Sequence, residues 1–308
     1  MRISTNLQYQ QLAAQMSKAS SDLAQMQGKV ASGLKFNTPS QAPELVGRSV
    51  ALQSRIAGFK ADVATLGQVR LGIDSQAVAL EAAQPLLSRL KELSLQGASQ
   101  QFTQTERDAM AAEAKSLRLG LLDLANSRDP DGRYVFGGTE SSRPPYELDG
   151  TGQITYVGGS TPLRVRVGDS AYEDATVVGP SSWQGVMRPT GPGGSPQRVD
   201  LFAAVGDLET ALRGNDRAAL TRAVDELSLV GNSLQVGMAK LGASQNRLTV
   251  VQGQAEELAQ RATDALSGVR DLDYATALTE LKKQETLLQA SQSLLSRMSQ
   301  LTLLDYMR

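Results

Sequence analysis

The chain has 308 residues and a formal net charge of −1, with 41% hydrophobic but only 4% aromatic residues. It holds 0 His and 0 Cys, which removes the commonest general base, thiol nucleophiles, Ser-His-Asp triads and the usual zinc ligands; the near-neutral charge argues against nucleic acid as a partner. The core must rest on Leu, Ala, Val and Met, as in helix-against-helix packing, and no apolar run reaches the roughly 20 residues of a membrane span, so membrane insertion is not expected.

The first 32 residues predict a helix. Leu12, Met16, Ala19, Leu23, Met26 and Val30 recur at steps of four and three and form one apolar stripe. The opposite face is Gln and Ser. Gly33 and Asn37-Thr38-Pro39-Ser40 read as a loop, and Pro43 as the first turn of the next helix with Ser40 as its cap. That helix carries Leu52, Ile56, Phe59, Val63 and Leu66, then Ile73, Ala77 and Leu80. Pro85 should kink it or mark a junction, and it should end near Gly97. Thr103 and Glu106 match a capping box before a stripe of Met110, Ala114, Leu117, Leu121 and Leu124, which stops at Asp129-Pro130-Asp131-Gly132.

Residues 133–198 change character and hold 12 of the 28 Gly and 7 of the 11 Pro. Tyr134-Val135-Phe136 reads as a strand entering a Gly137-Gly138 turn. Gln153–Val157 and Leu163–Val167 read as strands of one small half-buried sheet, separated by Gly158-Gly159-Ser160-Thr161. In the second, Leu163, Val165 and Val167 face one way and Arg164 and Arg166 the other. Residues 189–197 read as a loop. Val199 to Leu212 is a short helix closed by Gly214. Asn215 or Asp216 then caps a pattern that runs from Leu220 through Ala262. About 50 helical residues would span about 75 Å and need a partner along their length. The 45–96 helix, with 104–127 alongside, is the candidate, giving an antiparallel bundle. The last helix, about 272–306, has two neighbouring stripes. One is Leu281, Leu288, Leu295 and Met298; the other is Leu287, Ala290, Leu294, Leu301 and Leu304. Nothing else in the chain covers the two terminal helices, so both are expected to be loose alone and ordered on assembly.

Other signals have plain readings. Gly137-Gly138 and Gly158-Gly159 fit no phosphate-loop pattern and are turns. Glu256-Glu257 and Lys282-Lys283 are solvated faces, Asp271 and Asp273 mark a helix start, and Trp183 belongs to the core of the small domain. The opening MRISTNLQYQQLAAQ is too polar for a secretory signal peptide.

Met1-Arg2-Ile3-Ser4-Thr5 with Tyr9-Gln10-Gln11 resembles the opening of the hook–filament junction members of the bacterial flagellin family. Ala31-Ser32-Gly33-Leu34-Lys35, then Asn37 and Pro39-Ser40, is similar to that family's S-[TS]-G-[KL]-[RK] segment. Tyr134-Val135-Phe136-Gly137-Gly138-Thr139 resembles the signature opening its variable part. Asp271-Leu272-Asp273-Tyr274-Ala275, Gln289-Ala290-Ser291 and Leu301–Tyr306 resemble its C-terminal segment. Gln41-Ala42 departs from the family, which usually has two acidic residues there.

The resemblance implies a mainly α fold with a β insert: a flagellin-like antiparallel helical rod made by both arms, with a small outer β domain. The implied divisions are assembly helices at 1–40 and 270–308, rod segments at 41–136 and 199–269, and a variable β domain at 137–198. It implies no enzyme activity and no cofactor. It implies export through the flagellar type III apparatus without a cleaved signal, a cytoplasmic chaperone on the C-terminal helix, and a ring of subunits between another junction protein and flagellin, outside the cell. The expected assembly interface is Ile3, Leu7, Leu12, Met16, Leu23 and Met26 on the first helix. On the last it is Leu281, Leu287, Leu288, Leu294, Leu295, Met298, Leu301 and Leu304. Flagellin itself, or a secreted binding module using the β domain, are the alternatives.

Overall fold

A computed structural model describes residues 2–99, 102–166, 172–183, 186–188 and 197–306. Its helices are α1 (Arg2–Ser32), α2 (Pro43–Gly97), α3 (Gln104–Ala125), the short α4 (Gly179–Ser182), α5 (Leu201–Gly214), α6 (Arg217–Arg270) and α7 (Tyr274–Tyr306). The strands are β1 (Tyr146–Leu148), β2 (Ile154–Tyr156), β3 (Arg164–Arg166), β4 (Tyr172–Asp174), β5 (Val186–Arg188) and β6 (Gln197–Val199). Two compact units result, one from residues 1–60 and 256–308, the other from 61–255.

The 61–255 unit holds the main core, which gathers Ile73, Leu80, Leu90 and Leu93 of α2 with Leu121 of α3, Leu208 and Leu212 of α5, and Leu220, Leu227 and Leu234 of α6. Within it α2 and α6 run antiparallel, as the pattern requires. Gln84 Nε2 lies 3.1 Å from Met238 Sδ, and Gln245 donates to Asp74. α2 stays helical through Pro85 and ends at Gly97. A Cβ on Gly97 would stand 2.3 Å from Leu212 Cδ2, so glycine there admits α5 against the helix end. The carbonyls left at that end are met by cations, which also suit the negative end of the helix dipole. Arg107 donates to Gly97 O at 2.7 Å and to Ser99 O at 3.0 Å, and Arg217 to Ala98 O at 3.1 Å. The Thr103–Glu106 capping box is present. Asp200 caps α5 through Ala203 N at 2.6 Å, and Asp216 caps α6 through Ala219 N at 3.1 Å. Asn215 instead closes α5 in a left-handed conformation at φ 55°.

The β region departs from expectation. Among the described residues it forms separate antiparallel hairpins, β1–β2, β3–β4 and β5–β6, rather than one sheet. Tyr134-Val135-Phe136 is no strand: Tyr134 makes a single bridge to Arg128, and the next two residues turn. All three are apolar because they are buried, not because they pair in a ladder. Val199 ends β6 instead of starting a helix, and Ser40 lies in a short 3-10 turn (Pro39–Gln41) with Ala42 between it and α2. Val165 is buried between exposed Arg164 and Arg166 as the alternation requires, but Leu163 is exposed. Val167 and the expected loop at 189–196 lie outside the described residues.

Gly137-Gly138 and Gly158-Gly159 pack on each other. Gly159 N donates to Gly137 O at 3.0 Å, and a Cβ on Gly138 (φ +60°) would stand 2.4 Å from Thr161 O. Trp183 is fully buried, edge-on to Phe136 at 5.4 Å. Side chains bolt this region to the helices. Buried Gln76 of α2 donates to Val135 O and Val177 O and accepts from Val177 N. Asn126 pairs with Tyr146 through its N–H and C=O at 3.0 and 2.9 Å, as a further strand residue would. Arg188 of β5 grips Glu226 of α6 with two bonds, 2.7 and 2.9 Å, and Asp207 of α5 at 2.6 Å.

Candidate assembly face

The 1–60/256–308 unit is built on the pairing of α1 with α7. Each terminal helix thus has the other as a partner, which the sequence pattern had left uncovered. Both helices start or end at one joint where the chain breaks twice. Lys35 N donates to Arg270 O at 2.8 Å and Leu272 N to Gly33 O at 2.8 Å, bridging Leu34 to Asp271. The Lys35 ammonium donates to Gly268 O at 2.5 Å, at the carbonyl end of α6. Gly33 takes φ +71°, and a Cβ there would stand 2.8 Å from the Tyr274 hydroxyl. Ser32 Oγ donates to Asn37 Oδ1 at 2.6 Å, and Gln41 Oε1 accepts from Asn37 N at 2.8 Å. Gln41 thus serves as a neutral loop acceptor.

Asp273 starts α7 by accepting from Ala275 N at 3.0 Å and from the Thr276 hydroxyl at 2.7 Å. The Thr276 hydroxyl and the neighbouring amides hold its carboxyl below the usual range. The two motifs that the sequence places about 235 residues apart, at 32–37 and 271–274, are thus the two sides of one backbone joint.

Beyond the joint the two stripes of α7 separate. Ala277 is buried, and Leu281, Leu288 and Leu295 are half-buried, on the side packed against α1. Leu287 and Leu294 remain 53% and 55% exposed. On α1, Leu12, Met16, Leu23 and Met26 are half-buried and Leu7 is 56% exposed. The side chains of Ile3, Met298, Leu301 and Leu304 lie outside the described residues. Leu287 and Leu294, seven residues apart, thus form an exposed aliphatic pair on a helix whose other stripe is half-buried. Exposed Leu278 of α7 and Leu45 and Val50 of α2 belong to the same unit. The spacing of the apolar residues could locate this face, but not which of two adjacent stripes α1 takes.

Among the described residues no group of three or more His, Cys, Asp or Glu is placed to hold a metal, and no helix is long and apolar enough to cross a membrane. The carboxylates with close partners serve the fold. Arg89 and Glu113 join α2 to α3 by two bonds, 2.5 and 3.1 Å, and Arg118 meets Glu209 at 2.7 Å in a largely buried pair. Burial holds the Glu209 carboxyl above the usual range despite that arginine.

The model of the bacterial flagellin N-terminal helical region matches residues 3–141, and that of the C-terminal helical region matches 224–307. Flagellar hook-associated protein 3 of Escherichia coli is 24% identical over 98% of both chains. A flagellin of Listeria monocytogenes is 24% identical over 97% of this chain and 96% of its own. Among solved structures, a flagellar hook-associated protein from Vibrio parahaemolyticus superposes with a TM-score of 0.59 at 19% identity, covering 75% of this chain and 98% of that one.

Proposed function

The chain belongs to the bacterial flagellin family, and from that premise we propose that it is a structural subunit of the flagellum, standing at the junction of hook and filament. The observation that carries the reading is the match to Flagellar hook-associated protein 3 over nearly the whole of both chains. Its action is mechanical. Copies polymerise through the terminal helices into a ring, with a hook-side junction protein below and flagellin above. In this reading 1–40 and 270–308 form the inner assembly layer, 41–136 and 199–269 carry it, and 137–198 faces outward. Leu287 and Leu294 supply the apolar contact between copies, and Leu7 extends it on α1. The chain leaves the cell through the flagellar export apparatus without a cleaved signal, with a chaperone on the C-terminal helix beforehand, and it works without catalysis.

Deleting the gene tests this. Bare hooks with unpolymerised flagellin in the medium are the expected result. Intact filaments would overturn the junction role. The comparable identity to a flagellin favours a filament subunit as the second reading, which predicts abundant chains that polymerise alone into long filaments.

A further inference from the structure

We propose that the groove between the β3–β4 hairpin and α6 binds an acidic oligosaccharide, one that carries a carboxylate on every second sugar. This recognition role is separate from assembly and does not depend on the junction reading above.

The groove has a volume of about 420–700 Å³ class size, measured at ≈ 700 Å³, within the range of about 300–1,000 Å³ that small-molecule sites take. Arg164 and Tyr172 of the hairpin line one side, and Lys240, Ala243, Ser244 and Arg247 of α6 line the other. Both sides belong to the 61–255 unit. Ser244 Oγ donates to Asp174 O at 3.4 Å and ties the two walls together. Ala243 and Ser244 are small, which leaves the space between the hairpin and the helix open.

The charge of the groove is unlike that of the chain. From Leu227 to Ala255, α6 holds Lys240 and Arg247 and no Asp or Glu. Among the described residues three cations, Arg164, Lys240 and Arg247, line the groove against one acid, Asp174, an excess of two positive charges in a chain of net charge −1. Asp174 is already paired with Arg164 at 3.1 Å, so it does not neutralise the α6 side. Lys240 and Arg247 are seven residues apart, on one face of the helix and about 10 Å apart along its axis. A pyranose ring is about half that length, so an acid on every second sugar meets both cations. A strand of duplex DNA, with a phosphate about every 3.4 Å, would leave most of its charges unmatched.

The uncharged lining suits a sugar. The Thr176 hydroxyl accepts from Leu163 N at 3.0 Å and keeps its hydrogen to donate. The Ser181 hydroxyl donates to Val178 O at 2.8 Å and keeps its lone pairs to accept. A polyhydroxylated ligand supplies both complements. Tyr172, 59% exposed, offers a ring against which the C–H groups of a pyranose can pack.

Calorimetric titration of the full chain with a hyaluronan hexasaccharide tests the site, with neutral chitohexaose and inorganic phosphate as comparison ligands. The expected result is saturable binding of the hyaluronan fragment, at least tenfold tighter than either comparison ligand and weakened by added salt. Lys240→Gln and Arg247→Gln should each weaken it about tenfold. Tyr172→Ala should weaken it about fivefold, whereas Tyr172→Phe should bind as the native chain does. These positions are exposed, and an unchanged circular dichroism spectrum checks that each variant is folded. Lys283→Gln, on α7 in the other unit, should leave binding unchanged. No binding of the hyaluronan fragment, or equal binding of chitohexaose or phosphate, would overturn the ligand class. Equal weakening by Lys283→Gln and Lys240→Gln would overturn the location.

Discussion

At Gly138 the backbone takes φ +60° with Thr161 O 2.4 Å from where a Cβ would stand. Both the left-handed conformation and the carbonyl, which is fixed by its own bond to Thr139 N, oppose any side chain. Gly138→Ala should cost about 3 kcal/mol of unfolding free energy, measured by urea denaturation. Gly132, also at positive φ but with open space around it, should cost only about 1 kcal/mol when changed to Ala. Charge acts at the same scale. The Arg89 side chain beside Glu113 holds that carboxyl below its ordinary 4.5, so the folded state releases the proton more readily than the unfolded chain. The stabilisation is present above about pH 4.5 and is lost as pH falls through the depressed folded value. Glu113→Gln should flatten the fall in stability on acidification there. At neutral pH it should cost only about 0.5 kcal/mol, since both side chains are 40% exposed. Glu209 has the opposite sign: burial raises its folded pKa, so its contribution is largest at acid pH and declines as pH rises through that raised value.

Between elements, a few polar side chains decide where the hairpins sit. Gln76 joins α2 to the Val135 and Val177 backbones with both ends of its amide. Gln76→Leu would leave Val177 N–H and two carbonyls buried without those partners and should cost about 2–4 kcal/mol. The same variant should speed exchange of the Val177 amide before global unfolding. On α7 the half-buried and exposed stripes separate two roles. Leu288→Asp places a carboxylate on the side packed against α1 and should melt the α1–α7 pair, seen as lost helical signal. Leu287→Asp sits on the exposed side and should leave the pair intact while blocking incorporation into flagella. Equal loss of helix in both variants would contradict the assignment of the second stripe to neighbouring copies.

For the molecule as a whole, the main hydrophobic core lies between Leu66 and Leu248, inside the 61–255 unit. The other unit buries smaller or fewer side chains, among them Phe36, Ala262, Val269 and Ala277. A chain truncated to 43–270 should therefore keep a cooperative thermal transition close to that of the full chain, monitored by the near-ultraviolet signal of Trp183. A transition lost or broadened by removing α1 and α7 would mean that the terminal pair contributes to the main core.

Much of this was legible in the residues. The step-of-four-and-three stripes marked α1, α2, α3, α6 and α7, because a helix is a local structure whose period is written along it. The capping box and the breakers at Gly97 and Pro43 fixed ends to within a residue or two for the same reason. The β region was legible only as a change in composition. Its strands are three residues each, too short for alternation to choose a partner, so pairing fell to contacts such as Asn126 with Tyr146 and Gln76 with Val177. Burial made Tyr134-Val135-Phe136 look like a strand, since apolar runs do not say what encloses them. The assembly face divides in the same way. Sequence determined that α7 has two apolar stripes; only the packing of α1 decided which one is covered, because that choice depends on a helix some 250 residues away and not on the spacing within α7.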